Sequence, residues 1–291
     1  MKRAVITGAT SGIGAEIARL LLAANGMTVD LVGRSQGRLE QARQRILGTH
    51  PAADLRLVRA DLSLLSEVRA LADQAADNPP DVVISCAAVI AEIRDVTSEG
   101  LQRTLVTNHL APYLLMRSLV KPIGDRAARF IVVGASPTAL ARTPVNLDDL
   151  DCHTGRGLGP LPSARPFAAY GRTKNMNAMF VYALADRLAD SQIKVNGVHP
   201  GIISGTGLAR DARGSLRVFS SLVAPFMPGV DAGADSPAWL ATSPEVAGVT
   251  GKFFVKRKQV PTAPHTTDKA RCDRLWDESA RLVGLSVSAG R

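Results

Sequence analysis

Apolar residues along the chain fall into two alternating patterns, short unbroken runs and longer stretches at helical spacing. The first run, Ala4-Val5-Ile6, reads as the end of a buried strand. It passes through a glycine-rich turn into Ile13, Ile17, Leu20 and Leu21, which recur at the period of a helix. The same alternation continues. Strands are predicted over residues 28–32, 54–59, 81–85, 128–134 and 194–198. Helices are predicted over about 38–47, from about 63 to 76 with Ser63 as its cap, 98–119 and 168–189. Asn78-Pro79-Pro80 is a break, and residues 137–166 are a loop rich in proline and glycine. Strands alternating with helices imply right-handed βαβ units and a parallel sheet covered on both faces. The predicted fold is therefore α/β, a single doubly wound Rossmann-type domain. Residues 1–200 are its dinucleotide-binding and catalytic core, 201–230 a segment over the substrate, and 231–291 an extension on the same sheet.

Composition narrows the function. The net charge is +9, yet the only basic cluster is Lys256-Arg257-Lys258. A surface that attracts an anionic cofactor explains this better than a nucleic-acid partner. No run of eighteen apolar residues exists, so no transmembrane helix is expected. The N-terminus passes from Met1-Lys2-Arg3 directly into a strand, without the pattern of a signal peptide. Cys86, Cys152 and Cys272 show no metal or redox spacing. These features predict a soluble, cytoplasmic protein with a small-molecule partner, no nucleic acid, no membrane and no metal; a homo-oligomer is left open.

The chemistry begins at the turn. Gly8, Thr10, Ser11, Gly12, Ile13 and Gly14 lie between a strand and a helix, where free backbone N–H groups at the positive helix end suit a phosphate. At the end of the second strand an acid would hold the ribose hydroxyls of NAD, whereas an arginine suits the extra phosphate of NADP. That corner reads Gly33-Arg34, with Arg38 one turn on, so NADPH/NADP+ is the predicted cofactor; Asp30 lies too early in the strand for the ribose. Farther along, Tyr170 and Lys174 are four residues apart on one predicted helix face. A neighbouring cation favours the phenolate and lowers a tyrosine pKa from its ordinary value near 10.

The spacing Thr7-Gly8-x-x-x-Gly12-x-Gly14, together with Tyr170-Gly171-Arg172-Thr173-Lys174, resembles the short-chain dehydrogenase/reductase family. Residues 243–254 look like its retinol-dehydrogenase-like branch, which includes protochlorophyllide reductase relatives. The resemblance implies hydride transfer between nicotinamide and a carbonyl or alcohol carbon. By the same resemblance Tyr170 is the acid/base, and Lys174 tunes it and holds the nicotinamide ribose. Ser136 bonds the substrate oxygen, and Asn108 links Lys174 to solvent through water. Asp61 is expected at the adenine edge and Pro200 and Gly201 beside the nicotinamide, with Leu62, Ala87, Tyr170 and Ile203 among the other cofactor-binding residues. Two departures stand out. Ser85-Cys86-Ala87-Ala88 replaces the usual Asn-Asn-Ala-Gly, removing side-chain ties between strands and placing a methyl near the ribose. Gly205 stands where relatives carry a threonine for the carboxamide, with Thr206 one residue on.

Substrate choice is assigned to residues 137–166 and 202–228. The second segment carries Val218, Phe219, Leu222, Val223, Phe226 and Met227, suited to a bulky apolar carbonyl compound, with Phe219 and Phe226 as candidate substrate contacts. His109 and His199 are read as polar packing. Asp148, Asp149 and Asp151 are read as facing solvent, and the helix ending at 278–283 as a docked terminal helix. Two other classes compete. A cyclase or isomerase on the same fold is supported only by Ser85-Cys86-Ala87-Ala88. A nucleotide-sensing regulator needs none of Asn108, Ser136, Tyr170 and Lys174.

Overall fold

Val5 and Val83 face one side of a sheet, while Ala4, Ile6, Val82 and Ile84 face the other, each set in its own buried layer. This two-sided burial makes the strands unbroken apolar runs rather than alternating ones. The computed structural model describes residues 2–140, 143–201, 203 and 229–286. Among them β1 (Arg3–Thr7), β2 (Thr28–Gly33), β3 (Leu55–Arg59), β4 (Val82–Ser85), β5 (Ala128–Val133), β6 (Ile193–His199), β7 (Lys252–Val255) and β8 (Lys258–Gln259) form one sheet in the order β3-β2-β1-β4-β5-β6-β7-β8. The pairings are parallel up to β7, and β8 turns back antiparallel on it.

One face carries α1 (Gly12–Asn25), α2 (Gln36–Thr49) and α8 (Val230–Thr242). The other carries α3 (Leu65–Ala76) and α7 (Arg165–Arg187). On that face α4 (Arg103–Leu105) also runs through a π-helical turn (Val106–Leu110) into α5 (Ala111–Ile123). Short helices α6 (Pro137–Leu140) and α9 (Pro264–Thr267) precede α7 and α10 (Lys269–Leu282) respectively. The expected terminal helix is α10, and it does dock. Tyr113 Oη donates to the Trp276 carbonyl at 2.7 Å, and the Trp276 ring lies 4.3 Å from both the Arg117 and Arg187 guanidinium carbons.

The chain leaves β1 toward β2 and β3, then crosses to the other side of β1 for β4. Ligands of such sheets bind at this reversal, outside the carboxyl ends of the strands. Thr7, Gly33, Ser85, Val133 and His199 mark those ends, in register through Thr7–Ser85, Ser85–Val132 and Val133–Val198.

Two local expectations are corrected. Ser63 does not cap α3: its N–H and hydroxyl bond Asp61 Oδ1, and the first N–H groups of the helix go to Glu99, at 2.5 Å from Leu65 and 2.9 Å from Ser66. A carboxylate suits the positive helix end better than a hydroxyl. The helix expected from residue 98 starts instead at Arg103, because Gln102 is its cap and accepts from the Leu105 N–H at 2.8 Å, while Val96 and Gln102 form a bridge. Of the expected substrate segment over residues 202–228, all but residue 203, and so Gly205, Thr206, Phe219 and Phe226, lies outside the described residues.

Candidate active site

Gly8 and Gly12 take left-handed backbone angles, φ +71° and +58°, and so shape the turn after β1. Gly14 is required for a different reason: a Cβ there would stand 2.5 Å from the Gly8 carbonyl oxygen. The Gly8 and Ala9 N–H groups bond the Val32 carbonyl, which fixes the turn to β2. Gly8 abuts the turn after β4, where its Cβ would meet Ala87 Cα at 2.8 Å. Ser11 is the N-cap of α1, yet its hydroxyl makes no cap bond and the first turn holds no acid. The N–H donors of that helix end are thereby left for an anion, the arrangement a dinucleotide phosphate fits.

Ser35 caps α2 through the Arg38 N–H, placing Arg34 and Arg38, both exposed, beside the glycine turn. A polar cleft of about 560 Å³ opens there, lined by Thr10, Ser11, Arg38, Gln41, Gln44 and Arg45. Arg45 reaches back across it and donates to the Thr10 carbonyl at 2.8 Å. Asp30 is committed elsewhere, buried against Arg3. Asp61 accepts from Ser63, and Leu62 beside it is buried. Ile13 and Ile203 come together over Gly233 of α8, where a Cβ would lie 3.1 and 2.9 Å from them. Pro200 and Gly201, the latter at φ +99°, follow β6 at the same end of the sheet.

Tyr170 and Lys174 lie on α7, with Lys174 Nζ 5.6 Å from the Tyr170 ring centre. Lys174 is 4% exposed and donates to the Val133 carbonyl at the end of β5, at 3.0 Å. Ser136 follows three residues after Val133, its Oγ 3.0 Å from Thr138 Oγ1. Burial pushes the Lys174 ammonium down to about 8 and the Tyr170 phenol upward. The expected lowering of the tyrosine by its lysine is corrected: desolvation is the largest influence on the Tyr170 phenol and pushes it upward.

Asn108 sits in the π-helical turn, and its amide is used on both sides. Nδ2 donates to the Val89 carbonyl at 3.0 Å and to Thr173 Oγ1 at 3.1 Å, and Oδ1 accepts from the Val89 N–H at 2.8 Å. It therefore ties the turn after β4 to α7. The strand tie missing from Ser85-Cys86-Ala87-Ala88 is supplied from β1, where Thr7 Oγ1 accepts from the Cys86 and Ala87 N–H groups at 3.1 and 3.3 Å. Burial raises the Cys86 thiol to about 11, so it stays protonated beside the dyad.

His109 is buried with Nε2 2.8 Å from Ser279 Oγ, as polar packing requires. Asp149 departs from the solvent-facing expectation: it is buried, accepting from the Thr154 N–H and hydroxyl, while Asp148 pairs with Arg274. Among the described residues no group of three His, Cys, Asp or Glu side chains is placed to hold a metal ion. No described helix is long and apolar enough to cross a membrane. Thr7, Arg45, Glu99 and Val133 were missed, since each acts on a partner far along the chain.

Residues 2–146 match the family profile described as short chain dehydrogenase. Over 283 residues the chain is 33% identical to a protein of Streptomyces sp. (strain C5) named "Putative daunorubicin C-13 ketoreductase DnrU", covering 96% of this chain and 92% of that one. Over 297 residues it is 30% identical to "Retinol dehydrogenase 13" of Homo sapiens, covering 100% and 87%. Among solved structures, an uncharacterized protein from Mycobacterium paratuberculosis superposes with a TM-score of 0.76 at 26% identity, over 99% of this chain and 95% of that one.

Proposed function

The chain belongs to the short-chain dehydrogenase family, in its retinol-dehydrogenase-like branch, and from that premise we propose an NADPH-dependent reductase of bulky apolar carbonyl compounds. NAD(P)-dependent oxidoreductase activity is what the family carries; NADPH and the substrate class are our reading. The observation that carries it is the pair Tyr170 and Lys174 at the carboxyl ends of the strands, the half-buried phenol on one face of α7 with the buried ammonium, which is 5.6 Å from the ring centre and fixed by the Val133 carbonyl. A neutral phenol is a proton donor, the role a carbonyl reduction requires.

A nicotinamide bound there would supply the hydride. Tyr170 Oη gives its proton to the carbonyl oxygen as that oxygen gains charge. The Ser136 hydroxyl donates to the same oxygen and stabilises the developing negative charge. Lys174, fixed by the Val133 carbonyl, offers its remaining donors to the ribose hydroxyls and favours the phenolate left after proton transfer. Asn108 positions the turn after β4, which with Ala87 borders the ribose. The first-turn N–H groups of α1 hold the pyrophosphate, with Ile13, Pro200, Gly201 and Ile203 enclosing the cofactor and Asp61 and Leu62 at the adenine. Arg34 and Arg38 take the 2′-phosphate. Residues 201–230 are the proposed cover of the substrate, with Phe219 and Phe226 against its apolar body. A relative named for ketoreduction at C-13 of daunorubicin supports a large ketone. The Thr7 bonds argue against reading Ser85-Cys86-Ala87-Ala88 as a loss of redox function.

Titrating the protein with NADPH and NADH, then following NADPH consumption with a panel of aldehydes and ketones, tests the proposal. NADPH should bind more tightly than NADH, and Arg34→Ala should weaken NADPH far more than NADH. Equal affinities in the unsubstituted protein contradict the cofactor assignment, and no consumption with any carbonyl contradicts the reaction.

A further inference from the structure

Between Tyr170 and Lys174 stands a second cation. Arg172 is 5% exposed, and the partners of its guanidinium are both neutral: Nη2 donates to the Arg156 carbonyl at 2.8 Å and Nη1 to Cys152 Sγ at 3.5 Å. Burial keeps the Cys152 thiol protonated. A buried guanidinium is costly to desolvate, and these two contacts are where its donors go. Both lie in the loop ahead of α7. That loop is built around the arginine: a Cβ on Gly157, at φ +69°, would stand 2.8 Å from Arg172 Nη2, and Cys152 itself takes a left-handed φ of 59°.

The loop is ordered throughout its contact with Arg172. Asp149 accepts from Thr154, the Cys152 N–H bonds the Asp149 carbonyl at 3.2 Å, and the Gly155 N–H bonds the Cys152 carbonyl at 3.0 Å. Cys152, Leu158 and Ala169 share a small apolar cluster against which Ile93 and Ala168 pack. The start of the loop is held as well, with Asn175 Nδ2 donating to the Thr143 carbonyl at 2.6 Å and Arg271 Nη2 to the Val145 carbonyl at 2.6 Å. Its far end leads past Leu161 and Phe167, 65% and 40% exposed, which with Val96 are the exposed large apolar side chains among the described residues. Phe167 precedes Tyr170 by three residues on α7, so the two share a helix face.

We propose that Arg172 is a positioning residue that fixes residues 143–164 as a preformed apolar wall of the substrate site. The wall, ending in Leu161 and continued by Phe167 of α7, carries the hydrophobic body of the carbonyl compound while Tyr170 meets its oxygen. This rests on the reductase reading above and adds what selects the substrate. Arg172 touches neither substrate nor cofactor; it acts through the loop it holds.

The experiment compares Arg172→Met and Arg172→Lys with the unsubstituted protein, using NADPH, one short-chain ketone and one polycyclic aromatic ketone, and follows trypsin cleavage after Arg156. In Arg172→Met the KM for the polycyclic ketone should rise about tenfold, the factor set by losing one charge-assisted hydrogen bond's worth of positioning. The kcat for the short ketone and the Kd for NADPH should change by less than about twofold, within the spread of a substitution that leaves those contacts alone. Arg172→Lys should recover most of the KM, and trypsin should cut after Arg156 faster in Arg172→Met alone. Gly157→Ala, which pushes on the guanidinium from the loop side, should reproduce the KM effect, and it carries the test if Arg172→Met does not fold. Unchanged KM and unchanged cleavage overturn the proposal. A matched rise in both ketones' KM and in the NADPH Kd also overturns it, since Arg172 would then support α7 as a whole. No turnover by the unsubstituted protein overturns the reductase reading and the substrate half of this proposal, while the cleavage pattern, which needs no turnover, still decides whether Arg172 holds the loop.

Discussion

Lys174 Nζ donates a 3.0 Å hydrogen bond to the Val133 carbonyl while standing 5.6 Å from the centre of the Tyr170 ring. The ammonium is thus anchored to the end of β5, and its position does not depend on the tyrosine it serves. A buried cation held by a neutral carbonyl is poorly compensated, which is why its pKa falls from 10.5 to about 8.

Stability should therefore rise with pH in the cofactor-free protein. Between about 8 and 10.5 the unfolded chain still binds a proton at Lys174 that the folded chain has released, so the unfolding free energy increases across that window. The full effect is on the order of 3 kcal/mol. Below pH 8 the penalty is present in full, and Lys174→Met should raise the melting temperature of the free protein at pH 7. Thermal melts from about pH 7 to pH 10 check this; a curve equally flat in both proteins contradicts the burial argument.

His109 gives the opposite limb. Burial lowers its pKa from 6.5 to about 4, so stability present above pH 6.5 should be lost as pH falls toward 4. The expected loss is on the order of 3 kcal/mol. His109→Gln keeps a group to meet Ser279 and should flatten the acid limb of a denaturation series. An acid limb unchanged in that variant would assign it to other groups.

Two glycines should respond with opposite signs. Gly14→Ala drives a Cβ to 2.5 Å from the Gly8 carbonyl, backbone against backbone, and should cost about 1–3 kcal/mol while abolishing NADPH binding. Gly48 lies in α2, where a methyl in place of its hydrogen would meet nothing within 4 Å, so Gly48→Ala should stabilise by about 0.5 kcal/mol with NADPH affinity unchanged. Melts and cofactor titrations of the two variants decide it.

Much of the fold was legible because its signals are local. Val82-Val83-Ile84 reads as a two-sided strand from three neighbouring residues, and the Tyr170–Lys174 pair from a four-residue spacing. The glycine turn is legible for the same reason, its spacing being complete within a few residues. What escaped is carried by distance along the chain. Glu99 caps α3 from more than thirty residues downstream, and Thr7 supplies from β1 the tie that Ser85-Cys86-Ala87-Ala88 lacks. The direction of the Tyr170 shift is hidden for a related reason: spacing reveals the neighbouring cation but not the desolvation that pushes the phenol upward.

The central claim is that Tyr170 delivers the proton in a carbonyl reduction, and Tyr170→Phe tests it most directly. The substitution removes one hydroxyl from a half-buried ring and leaves the glycine turn and Lys174 unchanged. NADPH should bind Tyr170→Phe with a Kd within about twofold of the unsubstituted protein, while kcat with an accepted ketone falls by roughly 10²–10⁴, the worth of a positioned general acid. Retention of most of the activity at intact NADPH affinity would contradict the account.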